Sequence, residues 1–117
     1  MKALTTARRD SLLHLLSRPF PGRDELLAQL DHAFVVGSDL GDPTFAMEVL
    51  GGPKAITAFH VPVDAVGPDE DGHPVHVLLH VVDGYLGEVE VYREDLGRVQ
   101  QMPRTGLLEL TVHPIEG

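Results

Sequence analysis

The sequence predicts a single α+β domain in which two N-terminal helices pack on one face of an antiparallel sheet of about five strands. Three observations predict this class. Leucines at helical spacing fill the first third of the chain, apolar residues alternate through most of the rest, and an Asp-Gly pair separates two long apolar runs. No helical pattern recurs between the strands, so the crossover connections of a parallel sheet are missing. The whole chain, 1–117, has the size of one domain.

The two helices have clear start and stop signals. Thr5 and Thr6 offer hydroxyls that can cap a helix N-terminus, and Pro19 and Pro21 end the leucine pattern that follows them. A second helix is expected to begin near Gly22 and to end near His32. Acidic residues in its first turn suit the positive end of the helix dipole.

Strand periodicity begins after the second helix. Alternation of apolar and polar residues predicts strands over residues 33–36, 45–50, 75–82, 85–93 and 107–112. Residues 56–66 are a further extended stretch, which Pro62 places toward a sheet edge because proline cannot donate a ladder hydrogen bond. An exposed edge strand over 107–112 is a candidate for homodimerisation.

Asp83–Gly84 predicts a hairpin with a two-residue type I′ turn. Continuing the pairing without interruption places His80 opposite Gly87. The side of the hairpin expected to face the helices then carries Leu78, Val82, Val89 and Val91. The opposite side, expected to be covered by a loop or used for binding, carries Val75, Val77, Leu79, Val81, Leu86, Glu88, Glu90 and Tyr92.

Composition narrows the class of function. Nine Lys and Arg residues stand against eighteen Asp and Glu, and a net charge of −9 argues against nucleic acid as a partner. It suits either plain solvation or attraction of a basic protein. The absence of cysteine excludes disulfides, a thiolate nucleophile and a thiolate zinc site. No export signal and no apolar run of about 18 residues is present, so we expect a cytoplasmic protein without a membrane segment.

The seven histidines do not predict a metal site or a cofactor. His73 and His76 are separated by Pro74, and His76 and His80 share a strand face but lie about 13 Å apart. We expect His80 to be a hydrogen-bonded structural histidine that packs over Gly87. General-base chemistry is the alternative for His80.

Carboxylates mark the candidate binding surface. Glu88 and Glu90 lie about 7 Å apart along one strand, which suits contact with a cation or a basic partner, a solvated face, or paired-acid catalysis. With Tyr92 they form the candidate surface, and the loop residues Asp69, Glu70 and Asp71 supply an acidic rim.

No catalytic residue is predicted, because no Gly-x-Ser-x-Gly elbow and no Gly-x-Gly-x-x-Gly loop occurs. We therefore expect a non-enzymatic acidic interaction module, of the immunity or inhibitor type, for a basic partner. The alternative is a small-molecule-binding domain or minor enzyme that uses His80 and the strand carboxylates. That alternative requires a cavity with convergent polar groups.

Three segments carry a family resemblance. They are residues 20–30 (FPGRDELLAQL), 41–49 (GDPTFAMEV) and 77–92 (VLLHVVDGYLGEVEVY). Together they resemble a family of small uncharacterised bacterial proteins with a helical start, a turn often rich in cysteine, and a hairpin reading roughly HVxDGxLxELE. The resemblance implies the same fold and brings no activity. Where relatives hold cysteines, this chain has Ser38, Leu40 and Asp42, so no thiol role carries over.

Overall fold

The computed structural model describes residues 1–114, which form two helices on one face of a seven-stranded antiparallel sheet. The α+β class and the two N-terminal helices are confirmed, and the sheet has two more strands than expected. The elements in chain order are β1 (Lys2–Ala3), α1 (Thr6–Leu15), α2 (Arg23–Gln29), β2 (Ala33–Ser38), β3 (Phe45–Val49), β4 (Val63–Pro68), β5 (Pro74–Val82), β6 (Tyr85–Arg93) and β7 (Glu109–Val112).

Both helices begin where the sequence predicts, but each ends a few residues early, α1 at Leu15 and α2 at Gln29. The Thr5 hydroxyl accepts a hydrogen bond from the Arg8 amide at 3.2 Å, which caps α1. Helix α2 follows Gly22 and passes into a short 3₁₀ turn, Leu30–His32. Both helices pack on the sheet in one hydrophobic core, to which α1 contributes Leu12 and Leu15 and α2 contributes Leu26.

The sheet has the order β1-β2-β3-β6-β5-β4-β7. Strand β4 pairs with both β5 and β7, so the expectation that the Pro62 stretch lies toward an edge is wrong. Pro62 lies just before the paired part of the strand, because β4 begins one residue later, at Val63. The edges are instead β1, which is too short to show a periodic pattern, and β7.

The Asp83–Gly84 turn is confirmed. Val82 pairs with Tyr85 across it, and both turn residues have positive φ, 52° at Asp83 and 86° at Gly84, as a type I′ turn requires. The hairpin therefore folds β6 back along β5 over nine residues in each strand.

The predicted helix-covered side of this hairpin is partly wrong. Val89 and Val91 do face the helices, but Leu78 is only half-buried and Val82 is 50% exposed. The buried side of β5 consists of Val75, Val77, Leu79 and Val81. The cause is an interruption in the pairing of β5 with β6.

Gln29 joins the helical layer to the hairpin. Its fully buried side chain donates hydrogen bonds to the carbonyls of Pro53 and Gly84, at 2.8 and 2.9 Å. Its Oε1 accepts a hydrogen bond from the Leu86 amide at 3.0 Å. These three contacts fix α2 on the turn end of the hairpin, because each satisfies a backbone group that the helix covers.

Candidate functional site

The side of the sheet away from the helices is the candidate functional surface, here called the open face. The alternation of side chains along each strand indicates which residues lie on this face. The chain measures only 21 Å along its shortest axis, which is the thickness of a sheet with one helical layer. The open face carries Phe34, Ala46, Glu48, Asp64, Val66, His76, Leu78, His80, Glu88, Glu90, Tyr92, Glu109 and Thr111.

A β-bulge at Gly87 determines which residues of β6 reach this face. Val81 pairs with Leu86 and His80 pairs with Glu88, which leaves Gly87 without a partner of its own. A Cβ at Gly87 would lie 2.8 Å from Val82 Cγ2 and 3.2 Å from the His80 carbonyl oxygen, so the position favours glycine.

The bulge brings together residues that the sequence analysis had separated. His80 was expected opposite Gly87 and away from the glutamates. It lies instead beside Glu88 and shares the open face with Glu90. The expected position of Glu88, Glu90 and Tyr92 on the side away from the helices is correct.

His80 is held between two partners. Its Nε2 lies 2.7 Å from Glu90 Oε1, and its Nδ1 lies 2.9 Å from Nε2 of His60. The two imidazole rings meet edge to face, with centroids 5.0 Å apart. His60 belongs to the irregular segment that precedes β4, and only folding brings it to His80.

Other histidines of the open face pair separately. The His76 ring stacks on Tyr92 at 5.0 Å, and its Nε2 lies 3.1 Å from Glu94 Oε1. His113 Nε2 lies 2.7 Å from Asp64 Oδ2. Each of these pairs has one imidazole and one carboxylate, whereas His80 has two carboxylates beside it.

The acidic loop differs from the rim that the sequence suggested. Asp69 is buried, and its carboxylate accepts hydrogen bonds from the Gln100 and Gln101 amides and from the Arg93 guanidinium. Asp71 pairs with Arg93 at 2.9 Å. Of the three loop acids only Glu70 is both exposed and unconnected to Arg93. The structure thus gives Asp69 and Asp71 a role in holding the loop.

The pKa values of Asp69 and Asp95 agree with a structural role for this cluster. Burial raises the pKa of Asp69, but hydrogen bonds from backbone amides and from Arg93 outweigh it and leave the pKa below its ordinary value. Asp95 accepts two hydrogen bonds from Arg93, at 3.0 and 2.8 Å, which lower its pKa to about 2. The buried guanidinium is thereby surrounded by ionised carboxylates.

This cluster predicts a loss of stability in acid. The Asp95 carboxyl has a lower pKa in the folded protein than the ordinary 3.8, so it stabilises the fold above pH 3.8 and loses that contribution as the pH falls through about 2. We expect urea midpoints to fall across this window, and to fall less in Asp95→Asn. The exposed loop variant Asp39→Asn should keep the wild-type slope, and an equally steep slope in Asp95→Asn would contradict the assignment.

Charge is segregated between the two faces. The strand positions of the open face carry five carboxylates and, among residues 1–114, no lysine or arginine. The basic residues lie on the helical side, in loops, or in the core, as Arg93 does. Leu78 and Val66 lie on the same face, each half-buried among the polar side chains.

The clearest surface depressions lie elsewhere. One is lined by the acidic loop and residues 101–104, two lie beside the 40–43 turn, and one lies under residues 54–60 near the hairpin turn. None of these four includes His80, Glu88 or Glu90 in its lining. His60 lines the depression under residues 54–60, and Tyr92 lines one of the two beside the 40–43 turn.

Comparison with models of protein families, with curated proteins and with solved structures gave no significant match. The resemblance seen in the sequence therefore stays a prediction. Neither helix of the described chain has the length and apolar character needed to cross a membrane.

Proposed function

We propose that this protein is a non-enzymatic acidic interaction module whose open face docks on a basic protein. The observation that carries the proposal is the segregation of charge. Five carboxylates occupy strand positions of one face of the sheet, and no strand position of that face in the described chain holds a lysine or arginine. A surface of one sign attracts a partner of the opposite sign and sets its orientation.

The open face also has the anatomy of an interface. Leu78 and Val66 lie on the two neighbouring strands β5 and β4. Tyr92 is 38% exposed and lies against the His76 ring. Protein interfaces combine an apolar or aromatic centre with a polar, charged rim. Glu88 and Glu90 line none of the four depressions described above, which suits contact with another protein better than enclosure of a small molecule.

A basic enzyme neutralised by this chain, as in an immunity or inhibitor pair, is the kind of partner that fits. Such an inhibitor needs a rigid, strongly acidic surface and no chemistry of its own. The nine-residue strands β5 and β6 provide that rigid support for Glu88 and Glu90.

A second candidate function uses His80 as a general acid or base on a small molecule. The chain of contacts from His60 through His80 to Glu90, at 2.9 and 2.7 Å, favours it because such a chain orients an imidazole. Of the four depressions described above, the one under residues 54–60 reaches this chain of contacts through His60, and none is lined by His80 or Glu90. We therefore rank this candidate below docking.

Homodimerisation through β7 is a weaker proposal. Strand β7 lies at a sheet edge, as a strand that pairs between copies must. However, the carbonyl of Leu108 already pairs with His14 at 3.1 Å, and the carbonyl of Leu110 accepts a hydrogen bond from Arg18 at 3.0 Å. These contacts tie the strand to the helical side of its own chain.

Charge reversal tests the docking proposal. We expect octalysine to bind the open face at about 50 mM salt and to dissociate at higher salt, since exposed charges are screened over about 10 Å. The double variant Glu88→Lys/Glu90→Lys should weaken binding by about ten- to thirty-fold, because it replaces two attractions with two repulsions. Amide chemical shifts locate the contact, and a titration gives the affinity.

The matched control makes the same change of net charge on other surfaces. Asp10 lies in α1 and Asp39 in the loop after β2, and both are exposed. Asp10→Lys/Asp39→Lys should alter octalysine affinity much less than the open-face variant. Equal losses in the two variants would show that only net charge matters, and would refute a specific docking face.

A further inference from the structure

One cluster of the open face combines side chains that can bind a metal ion, which docking on a basic protein does not require. His80, Glu88 and Glu90 each offer one ligand atom, and these three atoms all lie within 4.8 Å of one another. Two neighbouring strands supply them, His80 from β5 and the glutamates from β6. In the described chain neither glutamate pairs with a lysine or arginine.

We propose that His80, Glu88 and Glu90 form a binding site for a divalent transition-metal cation such as Zn²⁺. Ligand atoms about 2.0–2.2 Å from a metal lie at most about 4.4 Å from one another. The observed spacing therefore requires only side-chain rotation. The imidazole nitrogen favours a borderline cation over Mg²⁺ or Ca²⁺, which prefer oxygen ligands alone.

His60 completes the site as an orienting residue. Its Nε2 lies 2.9 Å from Nδ1 of His80, on the side of the ring opposite the glutamates. Metal-binding imidazoles commonly hold their second nitrogen in such a hydrogen bond, which fixes the ring and its tautomer. His60 cannot reach the same ion through Nε2, because that atom is already directed at His80.

Metal binding relocates protons in this pair. When both imidazoles are neutral and no metal is bound, the proton on His80 Nε2 is donated to Glu90, and Nδ1 accepts a hydrogen bond from His60. The cation takes the place of that proton on Nε2. His80 then carries its proton on Nδ1 and donates it to His60 Nε2, and His60 carries its own on Nδ1. Each ring keeps one proton and changes tautomer.

The site and the docking face share two carboxylates, yet the inference does not rest on the proposed function. A bound dication neutralises the charges of Glu88 and Glu90 and should weaken octalysine binding. A substitution of His80 distinguishes metal binding from octalysine binding, because His80 is needed as a metal ligand but does not contribute to the negative charge. His80→Asn should therefore lose the metal and keep octalysine.

Calorimetric titration with Zn²⁺ alone tests the site. We expect one ion per chain, with affinity reduced more than about 100-fold in His80→Asn and in Glu88→Gln, and by about ten-fold in His60→Ala. Ring ¹⁵N shifts should report the tautomer change in both histidines. Thermal unfolding of each variant, without metal, confirms that it is folded, and half-buried Glu88 offers a substitution with little effect on packing.

The control is a different imidazole–carboxylate pair, the one formed by His76 and Glu94. His76→Asn/Glu94→Gln removes a pair 3.1 Å apart that has no second carboxylate ligand, and it should change Zn²⁺ affinity less than two-fold. Equal losses in control and site variants, or wild-type protein that binds no Zn²⁺, would overturn the metal site. If the wild-type protein binds no Zn²⁺ but still binds octalysine, the docking proposal stays intact.

Discussion

Deletion of Gly87 is expected to straighten β6 and to keep the cooperative unfolding transition of this protein. The bulge lets β6 place Leu86 in the core and still place Val89 there, three positions later. Without Gly87 these two residues are two positions apart, and the alternation of side chains runs unbroken from Leu86 through Glu88 to Val89. Glu88 and Glu90 therefore stay on the open face. A register that buried either carboxylate unpaired among the helical leucines would cost on the order of several kcal/mol, against a total stability of about 5–15 kcal/mol.

Circular dichroism during urea unfolding and the dispersion of amide shifts would test this expectation. Deletion of Leu40, a fully exposed residue in the loop after β2, is the control and should likewise leave a cooperative transition. Gly87→Ala should cost about 1–3 kcal/mol, because its Cβ meets Val82, and adding Val82→Ala should recover part of that loss. A Gly87 deletion that unfolds without a cooperative transition would contradict the register assigned to β6.

Local signals in the sequence predicted the elements well. A threonine cap, the prolines after α1 and the Asp83–Gly84 turn each act within a few residues, so their effect does not depend on the rest of the fold. The starts of both helices and the hairpin turn could therefore be predicted. Strand β1 could not, because two residues carry no period.

The face of the hairpin was mispredicted because its register depends on one residue. An uninterrupted register spreads the apolar residues over both faces. A single interruption between Leu86 and Val89 gathers Val75, Val77, Leu79 and Val81 on one side with them. A glycine at that point in a strand is itself a bulge signal. The sequence therefore held the information, and the need for one continuous apolar face would have revealed it.

The candidate site was only partly predictable for the same reason. Glu88, Glu90 and Tyr92 follow from strand alternation alone. The contact of His80 with Glu88 depends on the bulge, and the contact with His60 depends on an irregular segment. The pairing of Asp69 with Arg93 and with the amides of residues 100 and 101 joins segments far apart in the chain. No local pattern indicates such contacts.

Truncation of Gln29 should have the largest effect of any single substitution discussed here. Gln29→Ala leaves the Leu86 amide and the Pro53 carbonyl without their partner, while the Gly84 carbonyl still accepts a hydrogen bond from Ala55 at 2.9 Å. Each buried polar group left unpaired costs about 1–3 kcal/mol, and the empty volume adds to this. We expect a loss of about 3–5 kcal/mol in the free energy of unfolding, measured by urea denaturation.

Gln29→Met separates the two causes. Methionine fills a volume close to that of glutamine but provides neither the donor nor a strong acceptor, so about 2–4 kcal/mol of the loss should remain. Gln101→Met, at an exposed position, should change stability by less than about 0.5 kcal/mol. Amide exchange at Leu86 should speed up in Gln29→Met more than exchange at Val77, because the broken contacts join α2 to the turn end of the hairpin. A Gln29→Met protein as stable as wild type would show that packing alone, and not hydrogen bonding, holds α2 on the sheet.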